Sequence, residues 1–337
     1  MEKTGSKLPL FAVTMGDPAG IGPEIALKAL TSQSLPDNCG IFIIGDLGVL
    51  EHSMRFAAPW ADLHEMTSAA DFHPGRVNVY NMKQVEVTDF DRGKSQAICG
   101  IASYNYLIKG IDLCIDKTIA GIITNPISKE ALHLAGIKYP GHTEILADRT
   151  GTKDFSMMFA LENVYVAHVT THVSLKQAIL QVTRDRVLLN IRLLSQTLRQ
   201  LGIANPRIAV SGLNPHAGEN GLFGDEEAVH IAPAIDEARR TGISVSGPYP
   251  PDTVFMRAFK GEFDGVVSML HDHGFVALKS RDFEKGVNIT IGLPIIRTSV
   301  GHGTAFDIAG KGIASEASLI AAIRTAHLLW KNKMLLL

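Results

Sequence analysis

Thirteen histidines are present, and three stand apart by context: His172 in THVS, His216 in NPHAG and His271 in LHDHG each lie where a predicted strand gives way to a polar loop. In parallel α/β sheets that edge is where ligands bind. Three neutral imidazoles converging from separate strands could hold a divalent metal with a position left open for substrate. The three are too far apart in the chain to make a local pattern, and each alone is equally compatible with a surface or core histidine. His273 lies two residues beyond His271, so in an extended segment both rings project to one side with Asp272 opposite, and a two-histidine pincer is an alternative. Gly274 predicts a turn immediately after, which favours His271 as ligand and His273 as its neighbour.

A second set of residues suits an anion. GHTE offers His142 and Thr143 as adjacent donors after a Tyr-Pro turn, Lys279 and Arg297 supply positive charge, and Asn288 a neutral amide. A phosphate or carboxylate needs such charge-assisted donors. A solvated Lys279 and a salt-bridged Arg297 are the plainer alternatives. MGDPAGIG matches neither GxxxxGK[ST] nor GxGxxG, so it is a tight strand-to-helix turn that points Asp17 toward the ligand edge.

These residues need a scaffold, and the pattern predicts one. PLFAVT is a strand, Pro23 suits the first turn of the helix EIALKAL, and GIFIIGD is a second strand. Residues 48–95 are polar and irregular apart from VNVYNM. A helix over SQAICGIASYNYLIKGIDLCID leads to the strand AGIITNPIS, and the strand NVYVAHVTTHVS to a long amphipathic helix from Leu175 that Gly202 closes. RIAVSGLNPH, a helix over DEEAVHIAPAIDEARRTG and GVVSMLHD continue the alternation. VNITIGLPIIRTSV is extended, GHGTAFDIAGKG is a glycine-rich loop, and SEASLIAAIRTAHLLW is a helix with Ser315 as N-cap. The expected fold class is α/β, two α/β/α domains with a cleft between them and mainly parallel sheets. Residues 1–130 with 290–337 would form the first domain and 131–289 the second.

At 337 residues and 46% hydrophobic the chain can bury a large core. A net charge of -2 without charged blocks argues against nucleic acid and anionic membranes. No leader-like start and no apolar run of roughly 20 residues is found, so a soluble cytoplasmic protein is expected. Cys39, Cys99 and Cys114 make neither a disulfide framework nor a zinc site.

Taken together, TMGDPAGIGPEI, NPISKEALHLAG, YPGHTE, TTHVSL, GLNPHAGENGLFGDEE, GPYPPDTVF and GVNITIGLPIIRTSVGHGTAFDIAGKG occur in the order of one family. The chain resembles the PdxA family, the 4-hydroxythreonine-4-phosphate dehydrogenases of pyridoxal phosphate biosynthesis, over nearly its whole length except residues 48–95. The resemblance implies an isocitrate/isopropylmalate dehydrogenase-like fold and a homodimer. It implies a divalent metal (zinc, cobalt, magnesium or manganese) on His172, His216 and His271. It implies substrate contacts from His142, Thr143, Lys279, Asn288 and Arg297. The loop GHGTAFDIAGKGIA looks like an adenosine-binding loop, with His302 against the adenine and Asp307 on the ribose hydroxyls, which implies NAD over NADP.

The implied reaction is oxidation of 4-phosphohydroxy-L-threonine to a β-keto acid that decarboxylates, with Asp252 or Lys279 as proton acceptor. Family relatives acting on 4-phosphothreonate or 4-phosphoerythronate to give dihydroxyacetone phosphate, or on cis-dihydrodiols of aromatic acids, are the alternatives. The sequence departs from the family at HDHG, where HDQG is usual, so His273 puts a titratable ring where an amide is expected. From other classes, a metal aldolase or decarboxylase without nicotinamide, or a sugar-phosphate-binding protein, would leave GHGTAFDIAG or the three histidines without a role.

Overall fold

In the computed structural model, residues 8–282 and 285–335 are described. The chain falls into two compact units, one built from the residues up to Gly151 with Pro294–Trp330, the other from Thr152–Leu293 with the end of the chain from Lys331.

The first unit contributes β1 (Leu10–Thr14), β2 (Gly40–Gly45), β3 (Leu63–Met66), β4 (Val77–Asn81) and β5 (Gly121–Thr124). The chain then builds the second unit with β6 (Ser156–Leu161), β7 (Val164–His168), β8 (Ile208–Ser211), β9 (Val245–Tyr249), β10 (Gly265–Ser268) and β11 (Val287–Ile291). It returns to the first with β12 (Arg297–Val300).

In the first unit the order is β3-β4-β2-β1-β5-β12, parallel at every pairing. LFAVT, GIFIIG and GIIT are apolar on both faces, as strands covered on two sides must be, and β2 and β5 are buried throughout. Parallel register sets Thr14 beside Thr124 and Thr124 beside Ser299. A row of hydroxyls therefore closes the carboxyl ends of β1, β5 and β12.

Two helices anchor this sheet. Gly22–Leu30 starts after the MGDPAG turn with proline in its first turn, where a missing N–H costs nothing. Gly16 has φ 76°, and a Cβ there would meet the Pro126 carbonyl oxygen at 2.4 Å, so the turn requires glycine. Helix Ala97–Ile115 buries Cys99, Ala102, Ser103, Tyr106, Leu107, Ile111 and Cys114 at helical spacing and packs on β1, β2 and β5. Among the described residues it is the one helix long and apolar enough to cross a membrane, and its packing accounts for that apolarity. Burial pushes the thiols of Cys99 and Cys114 up to about 12, so neither ionises at neutral pH.

In the second unit the order is β11-β6-β7-β10-β8-β9. β7, β10, β8 and β9 are parallel, while β6 runs antiparallel to both β7 and β11. Phe159, Phe263 and Phe275 join Val166, Val266 and Leu278 in its core.

Several elements differ from the sequence expectation. Leu47–Ala57 is a helix and Leu63–Met66 a strand within the stretch expected to be irregular. The long amphipathic segment is two helices, Leu175–Gln181 and Arg184–Gln200, because Thr183 caps the second by accepting from the Arg186 N–H. VNITIGLPIIRTSV is two strands, one in each unit. Ser315 bonds the Ala317 N–H, the first residue of helix Ala317–Leu335, and so sits two residues ahead of it. HDHGF is not extended: His271 opens the helix His271–Lys279. His271 and His273 are therefore about 200° apart around its axis, and the shared-face pincer is excluded.

Candidate functional site

The histidine centre of the second unit rests on β7 and on helix His271–Lys279. Phe275 lies one turn beyond His271, and the two rings meet with centroids 4.4 Å apart. Behind Phe275 stands His168, 1% exposed and stacked on it at 4.8 Å and 16°. The His172 ring comes within 5.8 Å of His271, centroid to centroid, from a turn with φ 36°. Burial, aided by His271, holds the His168 imidazole down at about 3, so it stays neutral. In the sequence the one signal for His168 is a histidine inside the apolar run VYVAHV.

His271 Nδ1 lies 2.7 Å from Asp272 Oδ1. A proton held on Nδ1 by that carboxylate leaves Nε2 with its lone pair, the tautomer that metal-binding histidines adopt. The donor chemistry of His172 and His271 thus suits a divalent metal. Among the described residues no three His, Cys, Asp or Glu side chains gather closely enough to hold one, so the structure pairs His172 with His271 and leaves His216 on a loop of its own. That loop is unusual. Residues 216–220 have φ of 52°, 54°, 81°, 41° and 55°, a left-handed turn that costs non-glycine residues about 1–2 kcal/mol each. Buried Glu227 holds its base, accepting from the Leu213 and Asn214 N–H groups at 2.8 Å and from Asn214 Nδ2 at 2.9 Å. Sequence could not single out Glu227 from its acidic neighbours Asp225 and Glu226.

His273 is half-buried, its Nδ1 buried without a hydrogen-bond partner, and desolvation lowers its pKa against the opposing pull of Asp272. Lys279 ends the same helix, exposed, with its ammonium 5.1 Å from the Phe275 ring centroid. Asn288 on β11 has Nδ2 3.4 Å from Met157 Sδ and a buried Oδ1 with no partner. Asp252 is exposed in the turn before helix Val254–Phe259.

In the first unit the structure sets His142 within the electrostatic reach of Arg297, with Thr143 next to it in the same helix turn. Arg297, on β12, is 2% exposed, and burial brings its guanidinium down to about 9 against the attraction of Glu144. His142 and Thr143 form the first turn of helix His142–Arg149, whose leading N–H groups are natural anion donors. Desolvation, then Arg297 and Lys129, hold the His142 imidazole far below its usual pKa. His142 Nε2 is buried without a partner, as expected where a polar ligand completes its hydrogen bonding, and Glu144 Oε2 is also buried and unpartnered.

The glycine-rich loop after β12 is clamped by helix Gly22–Leu30. Glu24 accepts from the N–H groups of Gly310 and Gly312, while Lys28 Nζ donates at 2.7 Å to the carbonyls of Gly312 and Ala314. Ile21 N–H donates to the Thr304 carbonyl at 3.1 Å. Within this loop Asp307 is exposed, and His302 keeps Nδ1 on the Gly303 carbonyl with Nε2 buried and unpartnered. Neither clamp residue was legible, because each bond spans more than 280 residues.

Asp17 is fully buried beside that helix, with Oδ1 accepting from the Ala19 N–H at 2.9 Å and Oδ2 unpartnered. Desolvation raises its carboxyl to about 6, against the Ala19 and Ser128 hydrogen bonds. A carboxyl raised on folding contributes its stability fully below the unfolded value near 4 and loses it as pH rises through 6. Asp17→Asn keeps an oxygen for Ala19 and abolishes the charge. It should therefore raise Tm at pH 8, by the equivalent of roughly 3 kcal/mol, and hardly at pH 4. An identical Tm difference at both pH values would show that the carboxyl does not titrate on folding.

The family model described as pyridoxal phosphate biosynthetic protein PdxA matches residues 37–326. The chain belongs to the PdxA family. Its sequence is 46% identical over 325 residues to a protein of Oceanobacillus iheyensis named as a D-threonate 4-phosphate dehydrogenase, covering 95% of this chain and 98% of that one. The crystal structure of a 4-hydroxythreonine-4-phosphate dehydrogenase from Klebsiella pneumoniae is 43% identical, with a TM-score of 0.85 over 95% of this PdxA-family chain and 99% of its own. A β-decarboxylating dehydrogenase from Thermococcus kodakarensis, at 13% identity and TM-score 0.51 over 97% and 84% of the two chains, shares the fold alone. The expected family and α/β fold class are both borne out.

Proposed function

We propose that this PdxA-family chain is a dehydrogenase that oxidises the secondary hydroxyl of 4-phosphohydroxy-L-threonine with NAD, giving a β-keto acid that decarboxylates to 3-amino-2-oxopropyl phosphate. The observation that carries the reading is the buried Arg297 guanidinium beside neutral His142, in a chain 43% identical across nearly its whole length to a 4-hydroxythreonine-4-phosphate dehydrogenase.

His172 and His271 would hold the metal, with Asp272 keeping His271 Nε2 available and His216 the third ligand that the family resemblance implies. The chemistry a bound divalent metal supplies is Lewis acidity toward the substrate hydroxyl and the carbonyl it becomes. The nicotinamide supplies the hydride acceptor. Arg297, His142 and Thr143 bind the phosphate end, remote from the reacting carbon, and so fix the hydroxyl in place, with Asn288 a further substrate contact. The hydroxyl proton passes to Asp252 or Lys279. The enzyme works as a homodimer in the cytoplasm.

His302 and Asp307 hold the adenosine, and the exposed Asp307 carboxylate repels a 2'-phosphate. Asp307→Asn should narrow the preference for NAD over NADP by about tenfold in kcat/KM. An unchanged cofactor ratio would remove Asp307 from the site.

A second reading, dehydrogenation of D-threonate 4-phosphate, is favoured by the 46% identity to the Oceanobacillus protein and by His273, which replaces a neutral amide. The deciding assay is NADH formation by metal-loaded protein offered 4-phosphohydroxy-L-threonine and 4-phospho-D-threonate in parallel, with a chelator control. Preference for the amino acid supports the first reading, preference for the threonate the second, and no NADH from either substrate refutes both.

A further inference from the structure

The hydroxyl row of the first unit contains a side chain with no role so far. Thr124 ends β5 and is fully buried. Its Oγ1 accepts from two nitrogens of the same guanidinium, Arg297 Nη2 at 2.8 Å and Nε at 3.2 Å. Its carbonyl accepts from Ser299 Oγ at 3.0 Å, and Ser299 lies directly beside it in the parallel register. The β-branched Thr124 side chain has little rotameric freedom, so a hydroxyl fixed to the sheet meets one edge of the guanidinium fork.

That edge matters because arginine recognises a phosphate or carboxylate through the plane of its donors and not through charge alone. A guanidinium is flat, so holding Nε and Nη2 on one oxygen sets the direction of its remaining N–H groups. Without the hydroxyl, a buried cation would lose an acceptor for two donors and would turn to find another.

We propose that Thr124 is a positioning residue that fixes the plane of the Arg297 guanidinium for anion binding, an inference that rests on the reading of Arg297 as a ligand for the substrate phosphate. Valine matches the shape of threonine and lacks the hydroxyl; serine keeps the hydroxyl and lacks the methyl. The experiment compares Thr124→Val, Thr124→Ser and Arg297→Met in KM, kcat and inhibition by inorganic phosphate, with thermal melting as a check on folding.

Thr124→Val is expected to raise KM and the phosphate inhibition constant about tenfold while kcat changes less than about threefold, and Thr124→Ser to recover most of the loss. A fold defect alone would lower the active fraction and leave both constants unmoved. The proposal is overturned if Thr124→Val keeps the phosphate constant within about twofold of wild type while Arg297→Met raises it at least about tenfold, or if serine is as impaired as valine. If Arg297→Met leaves that constant unchanged, the anion reading itself falls and Thr124 with it. Should the valine variant fail to fold, Thr124→Ala against Thr124→Ser makes the same comparison.

Discussion

His271→Ala should lower kcat/KM about a thousandfold and weaken zinc or cobalt binding in titration calorimetry by about a hundredfold. The loss combines two effects of one side chain. In the proposed metal set this imidazole has the Asp272 carboxylate at its Nδ1, and it packs on Phe275 at the head of its helix. Asp272→Ala separates the two: the ring stays and Nδ1 loses its acceptor, so metal affinity should fall about tenfold without loss of the ring's packing. Undiminished metal binding in His271→Ala would rule out the ligand assignment.

The second large effect falls on the phosphate end. Arg297→Met should raise KM for the phosphorylated substrate about a hundredfold, because the charge-assisted hydrogen bonds of a desolvated guanidinium have no substitute from solvent. The same variant should not lower Tm. Burial brings the guanidinium down to about 9, so below that pH the fold bears the cost of a desolvated cation, and a neutral side chain relieves it. The sign gives a check: any Tm gain over wild type at pH 7 should shrink as pH rises past 9. A large Tm loss with unchanged KM would make Arg297 a structural residue.

How much of this was legible in the sequence depended on what each residue answers to. LFAVT, GIFIIG and GVVS announce strands because a parallel sheet buries both faces, and the apolar run is the whole signal. SMMFAL carries the same kind of run, but five apolar residues after one serine could belong to a helix or a strand. Leu47–Ala57 buries only Val49, Leu50, Ser53 and Ala57, and a serine on the inner face breaks the apolar stripe. Gly274 reads as a turn in the sequence. It sits inside a helix because a Cβ there would meet His168 Nε2 at 2.4 Å, so the glycine serves close approach to β7. His172 and His271 stand out in the sequence as candidates from their place at strand ends. Glu24, Lys28, Thr124 and Glu227 do not, since their partners are set by the folded chain.

The path of the chain through its two units has a consequence for biosynthesis. β5 is flanked by β1 and β12, and β12 is made only after every strand of the second unit has been synthesised. Until then, the growing polypeptide carries a finished, apolar β5 with one open side, the kind of surface that recruits other nascent chains. The inserted unit has no such debt, since its strands are contiguous in sequence. A ribosome-bound fragment ending before Pro294 should therefore depend on chaperones, and translation slowed between Leu293 and Val300 should raise the aggregated fraction.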